Sequence, residues 1–285
     1  MSEQKLTIIR PRSGWFDLPI RELFRYRDLI ALFVKRDFVS LYKQTVLGPA
    51  WAVIQPFLTT IVFSLVFGSM AGLAPEGVPS FLFYLSGTVV WTYFANCLTR
   101  TSDTFIANAG ILGKVYFPRL VMPVSTVLSK LIDFSIQYAF LLVFLVIYLL
   151  TGANVAPNWY VLMTPVLLLQ LAMLSLGCGV IISAATTKYR DLRMLVSFGV
   201  QLWMYASPVA YDMFSMGAFA PGGKYYGLYM LNPVTPIINV FRYAYLGIGQ
   251  IDWMYYVIGW ATTLLLLFAG VVLFSRVEKT FMDTV

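Results

Sequence analysis

Six stretches of this 285-residue chain are each 20 residues or longer and apolar, and they leave little room for any other architecture. They lie at 51–73, 80–99, 123–150, 159–184, 195–214 and 252–275. A helix rises about 1.5 Å per residue, so about 20 residues cross the roughly 30 Å of hydrocarbon in a bilayer. Lipid offers no partner for backbone N–H and C=O groups, so such segments must be helices. The expected fold class is therefore an all-α membrane protein with six transmembrane helices, forming a single domain over residues 1–285. Composition agrees, with 59% apolar and 12% charged residues, against about 25% charged in a soluble domain. No separate stretch is long enough to bury a second, aqueous core.

The net charge of +7 would suit nucleic-acid binding if the cations formed one patch, but they do not. Seventeen of the 20 Lys and Arg residues fall before span one, after span two, after span four, or at the C-terminus. The opposite side holds only Lys224 and Arg242, and Lys130 lies inside span three. That alternation is a topology signal, and it sets both termini on the cytoplasmic side. The first 19 residues are polar, basic through Arg12 and broken by Pro11, Gly14 and Pro19. They read as a surface tail rather than a cleaved signal peptide, since no apolar core follows Arg12.

Between that tail and span one, residues 20–43 take helical periodicity. Leu23, Tyr26, Ile30, Phe33, Val34, Phe38 and Leu41 share one arc, and most charges take the other, with Arg27 and Asp37 intruding. This is an amphipathic interface helix, either an anchor or a lever acting on the spans. The loop Thr101–Met122 reads as a short helix capped near Thr101–Asp103 and stopped by Gly110 and Gly113. A second loop, Thr186–Met194, is compact and charged. Both could cap helix ends or dock a partner. The stretch 215–250, rich in Gly, Pro and Tyr, is too polar for a seventh span. It suggests re-entrant helices at the outer face or an aromatic interface belt.

The chemistry is sparse. The chain has no His, and Cys97 and Cys178 lie inside apolar stretches, which excludes a disulfide framework and a typical zinc site. Lys130 and Asp133, three apart in span three, pair on one helix face. No chain of Asp, Glu or His crosses the membrane to carry protons. A phosphate-cradling G-x-x-x-x-G-K-[ST] loop is missing, and Gly110–Lys114 has the wrong spacing and is followed by Val115. A membrane glycosyl- or acyltransferase would need convergent carboxylates or His, whereas these acidic residues are scattered. Trp51, Trp91, Tyr93, Phe94, Trp203 and Tyr205 sit in or beside spans, as interface anchors or as a lining for a sugar polymer.

The order of features resembles the permeases of type-2 ABC transporters that export O-antigen, capsule and teichoic-acid polymers. The resemblance rests on Lys43-Gln44-Thr45-Val46-Leu47-Gly48-Pro49-Ala50-Trp51 and on Asn108-Ala109-Gly110-Ile111-Leu112-Gly113-Lys114-Val115-Tyr116-Phe117-Pro118-Arg119. It continues through Tyr189-Arg190-Asp191-Leu192, Ser207-Pro208-Val209, Asn232-Pro233 and Phe241-Arg242, and covers roughly residues 20 to 275. It implies a non-catalytic pore subunit of the bacterial inner membrane that pairs with a second copy of itself and two ABC ATPase subunits. ATP and Mg would be held by those ATPases, with no cofactor on this chain. The cargo would be a lipid-linked polysaccharide, undecaprenyl-linked in the O-antigen case, with capsule, teichoic acid, lipid or drug as alternatives. Carried over by position, 104–119 would be a coupling helix and 20–43 the cytoplasmic gate. Asp103, Asn108, Lys114, Tyr116, Arg119, Tyr189, Arg190 and Asp191 would meet the ATPase. Residues 216–240 would form the outer gate, with Tyr225, Tyr226, Asn232, Pro233 and Arg242 as its key side chains. Residues 1–19 take no role from the resemblance.

Overall fold

The structure, a computed structural model, describes residues 20–43, 48–112, 114–115, 117–189 and 191–281. The tail at 1–19, residues 44–47 of the span-one motif, Tyr116 and Arg190 lie outside the described residues. Among the described residues the chain is helical, with no strand.

The interface helix is two pieces, α1 (Ile20–Arg25) and α2 (Arg27–Tyr42). They break at Tyr26, whose ψ of 19° leaves the helical region. A tight turn at Gly48, held at φ +48°, opens the first span. That span is α3 (Trp51–Phe63), which continues as a π-helical turn over Ser64–Met70. Pro56 lies inside α3, and the Thr60 hydroxyl donates to its carbonyl at 2.7 Å. Then come α4 (Ser80–Ser102), the short α5 (Thr104–Ala107) and α6 (Ala109–Leu112), and α7 (Val121–Leu150). The order is completed by α8 (Thr164–Lys188), α9 (Leu192–Tyr205), α10 (Tyr226–Met230), α11 (Val234–Leu246) and α12 (Trp253–Phe281).

Among the described residues, 5 helical stretches are long and apolar enough to cross a membrane: Gly48–Met70, Ser80–Ser102, Val121–Leu150, Trp159–Thr186 and Trp253–Ser275. The segment expected at 195–214 is different. Its helix, α9, stops at Tyr205 after 14 residues, or about 21 Å. Pro208 explains the stop, because it has no N–H to give to Met204 and disfavours helical backbone at Ser207. The chain turns instead: the Val209 amide donates to Ser207 at 2.7 Å, and the Asp212 amide to the Leu73 carbonyl at 3.0 Å.

The span Ser80–Ser102 is 78% buried, against 17–28% for Gly48–Met70, Val121–Leu150 and Trp253–Ser275. Helix α4 is thus a central post, packed by α3, α7, α8, α9 and α11, while the outer helices turn apolar faces outward. Helices α8 and α12 touch backbone to backbone. A methyl at Gly177 would lie 2.7 Å from the Leu267 nitrogen, and one at Gly270 would lie 2.7 Å from the Gly177 oxygen. Such contacts between small residues let helices gain close dispersion contact where lipid supplies no hydrophobic drive.

Helix α11 is buried almost throughout, Tyr243 being its one residue outside the buried set. Its C-terminal carbonyls are met by the loop after α7: the Ala156 amide donates to Leu246, and the amide and side chain of Asn158 to Ala244 and Tyr243. The expected helices in 216–240 are therefore α10 and α11, with the second extending to Leu246.

Candidate functional site

Three groups of polar residues stand out among the described residues. The first is at the basic end of the spans. The loop after α4 is not one helix but α5 and α6, broken at Asn108, whose side-chain amide turns back to the Thr104 carbonyl at 3.0 Å. It is tied to the second loop, because Arg193 Nε lies 2.7 Å from Asp103 Oδ2 and the Thr186 hydroxyl donates to the Ser102 carbonyl at 2.8 Å. A small core fastens the first loop to the interface helix. Phe33 meets Phe117 with ring centroids 5.8 Å apart, and Phe105 stacks on Phe274 at 4.5 Å. Leu23, Tyr26 and Ile30 pack against the same cluster, which accounts for much of the apolar arc of the interface helix. Of the residues expected to meet a partner, Asn108, Lys114, Tyr189 and Asp191 reach the surface, Asp103 is engaged with Arg193, and Arg119 is buried.

The second group lines a cavity of about 230 Å³ between α2, the end of α4, the α5–α6 loop and α7. The expected pair is formed, with Lys130 Nζ 2.6 Å from Asp133 Oδ2. A third member, Tyr42 at the end of the interface helix, was not legible in the sequence. Its hydroxyl donates to Asp133 Oδ1, 91 residues away. Burial, with the neighbouring carboxylate, pushes the Tyr42 pKa up. Asp37, which intruded on the apolar face, points into this cavity, takes Arg36 at 2.7 Å and lies 3.5 Å from the Ser129 hydroxyl. An acidic residue on the apolar arc of an interface helix was the available signal for a polar contact with a span.

The third group is at the opposite end. Arg242 was counted there as a loop charge, yet it is 4% exposed. One guanidinium nitrogen donates to the Pro208 carbonyl, and the other to Val209 at 2.9 Å, with the carbon 3.7 Å above the Phe83 ring. Those carbonyls are free because the α9 helix has already broken. Asn232 staples the same break, accepting from Trp203 Nε1 at 3.1 Å and donating to Ala206 and Ser207. Beside it an apolar cavity of about 540 Å³ opens between Trp203, Phe219, Tyr225, Leu228, Tyr229 and Pro233. Tyr226 stands apart and donates to Asp252 at 3.1 Å.

The aromatic set divides in two. Trp91, Tyr93 and Phe94 are at most 5% exposed and belong to the packing around α4. Trp51 and Tyr205 are exposed at 54% and 45%, and Trp203 is partly exposed against Phe94.

Long apolar helices packed around a buried central one make this a multi-pass membrane protein. Residues 28–246 match the family described as ABC-2 type transporter, and the chain belongs to that family. It is a transporter membrane subunit rather than an enzyme. Among curated relatives, an "O-antigen export system permease protein RfbA" of Klebsiella pneumoniae is 27% identical over 259 residues, covering 90% of this chain and 94% of the relative. One of the same description from Myxococcus xanthus is 29% identical over 195 residues, 68% of this chain and 72% of the relative.

Proposed function

We propose that this chain is the permease subunit of an ATP-driven exporter that moves an undecaprenyl-linked O-antigen-type polysaccharide from cytoplasm to periplasm across the bacterial inner membrane. The observation that carries this reading is similarity over 90% of the chain to a permease described as serving O-antigen export. The basic ends of the spans then face the cytoplasm. Two copies of the chain enclose the path, and each engages one ABC ATPase subunit, which holds ATP and Mg. Helix α9 and the turn through 206–212 complete a sixth crossing, with α10 and α11 as re-entrant helices beside the outer mouth.

The Arg193–Asp103 link supports treating the two cytoplasmic loops as one lever. A push on α5–α6 is passed to the start of α9 through that pair, and to α2 through Phe33 and Phe117. Asn108, Lys114, Tyr116, Tyr189, Arg190 and Asp191 are the contact set toward the ATPase, with Arg119 and Asp103 bracing it. Trp51, Trp203 and Tyr205 are the aromatics available to a sugar chain, since flat rings give apolar faces to pyranose C–H groups without holding one sugar tightly. Tyr225, Tyr226, Asn232, Pro233 and Arg242 set the position of the outer gate. Affinity purification from the native membrane, with mass spectrometry of partners and an ATPase assay, tests the reading. A stoichiometric partner with a phosphate-cradling loop is expected, and a chain that purifies alone without nucleotide hydrolysis contradicts it.

A further inference from the structure

We propose that the cavity between α2 and α7 is a phosphoryl-binding site for the phosphate or diphosphate that joins a lipid anchor to its polar headgroup. The inference deepens the exporter reading and rests on it for the identity of the lipid. The cavity is bounded by an amphipathic interface helix and by Arg100 in the last turn of α4, so it sits at headgroup depth rather than mid-membrane. Its volume of about 230 Å³ holds several water-sized groups.

Three cations line it, Arg36, Arg100 and Lys130, against two carboxylates, Asp37 and Asp133. Arg36 and Lys130 are each paired within 2.7 Å. Arg100 has no carboxylate within ion-pair distance among the described residues. An unpaired guanidinium fork beside two further cations suits a planar, bidentate contact to phosphoryl oxygens. The carboxylates oppose an anion, and they also hold Arg36 and Lys130 ready at the cavity wall. A phosphoryl group would draw Lys130 from Asp133 on α7 and Arg36 from Asp37 on α2, while the contacts that join the two helices, Tyr42 to Asp133 and Ser129 to Asp37, stay in place.

The test uses the detergent-solubilised permease in complex with its ATPase, and native mass spectrometry with three probes: undecaprenyl diphosphate, phosphatidylglycerol and inorganic diphosphate. The variants are Arg100→Gln, an exposed position, and the charge-neutral pair Lys130→Gln with Asp133→Asn. Size-exclusion profile and melting temperature serve as folding controls. The parent is expected to bind one undecaprenyl diphosphate per chain, with affinity about tenfold lower in Arg100→Gln, the loss of one charge-assisted contact. The same loss for phosphatidylglycerol, with undecaprenyl diphosphate unchanged, keeps the phosphoryl site, makes bilayer lipid its source and overturns the link to cargo. A loss for inorganic diphosphate alone makes it a site for soluble anions and overturns the lipid assignment. Unchanged binding of all three probes by both folded variants overturns the site whatever the cargo, because binding is read here without transport.

Discussion

Replacing Gly87 with Ala tests the buried Arg242 seat. A Cβ at Gly87 would lie 2.6 Å from Arg242 Nη2 and 3.2 Å from the Val209 carbonyl oxygen. An ordinary contact needs about 3.5 Å, so the guanidinium would have to withdraw by nearly 1 Å. It is held by the Pro208 and Val209 carbonyls and lies over the Phe83 ring at 3.7 Å. A hydrogen bond from a charged donor is worth about 1.5–3 kcal/mol, and a desolvated cation–π contact about 2 kcal/mol. Losing one bond and part of the ring contact costs about 2–4 kcal/mol. Reversible unfolding in mixed micelles measures this, and a double-mutant cycle with Arg242→Met identifies the cause. Once Met replaces the pinned fork, the extra methyl has room, so the two penalties should fall short of additivity by about 2 kcal/mol. An unshifted midpoint in Gly87→Ala, or penalties that add within about 0.5 kcal/mol, would refute the argument.

Three other perturbations have defined outcomes. Gly177→Ala forces α8 from α12 at a backbone contact, so it should cost about 1–3 kcal/mol and lower the melting temperature, whereas Gly110→Ala, with open space around it, should not. Tyr42→Phe removes the hydroxyl that reaches Asp133 and should speed amide exchange across 27–42 about fivefold, corresponding to about 1 kcal/mol; unchanged exchange would show that apolar packing alone holds α2. Arg193→Ala breaks an ion pair whose arginine is 60% exposed, so stability should move by less than about 1 kcal/mol. Export should fall while ATP hydrolysis by the complex continues, and intact export would reduce the Arg193–Asp103 pair to a local cap.

Spans one, two, three, four and six were legible because a continuous apolar run of sufficient length has one stable form in lipid. The Lys130–Asp133 pair was legible for a similar reason, since three-residue spacing on a helix leaves two side chains little choice. The fifth segment was legible as an apolar stretch but not as a broken helix, because its composition stays apolar past Tyr205 while Pro208 interrupts the backbone. Hydropathy records composition, and a proline changes hydrogen bonding. Arg242 was counted as a loop charge because a sequence does not reveal that carbonyls freed at 208–209 converge on it from across the chain. Tyr42 was invisible for the same reason, its partner being 91 residues away. The aromatics on α4 look alike in sequence, and only the central position of that helix separates packing rings from exposed ones.

The central claim is that this chain exports a lipid-linked polysaccharide. The most direct measurement is transport itself, with the permease and its ATPase partner reconstituted in proteoliposomes, a labelled undecaprenyl-diphosphate-linked O-antigen polymer on the ATPase side, and ATP added. The polymer is expected to appear on the far side only with ATP, and not at all when the ATPase cannot hydrolyse. ATP hydrolysis without polymer movement, while a lipid or small hydrophobic compound crosses instead, would contradict it.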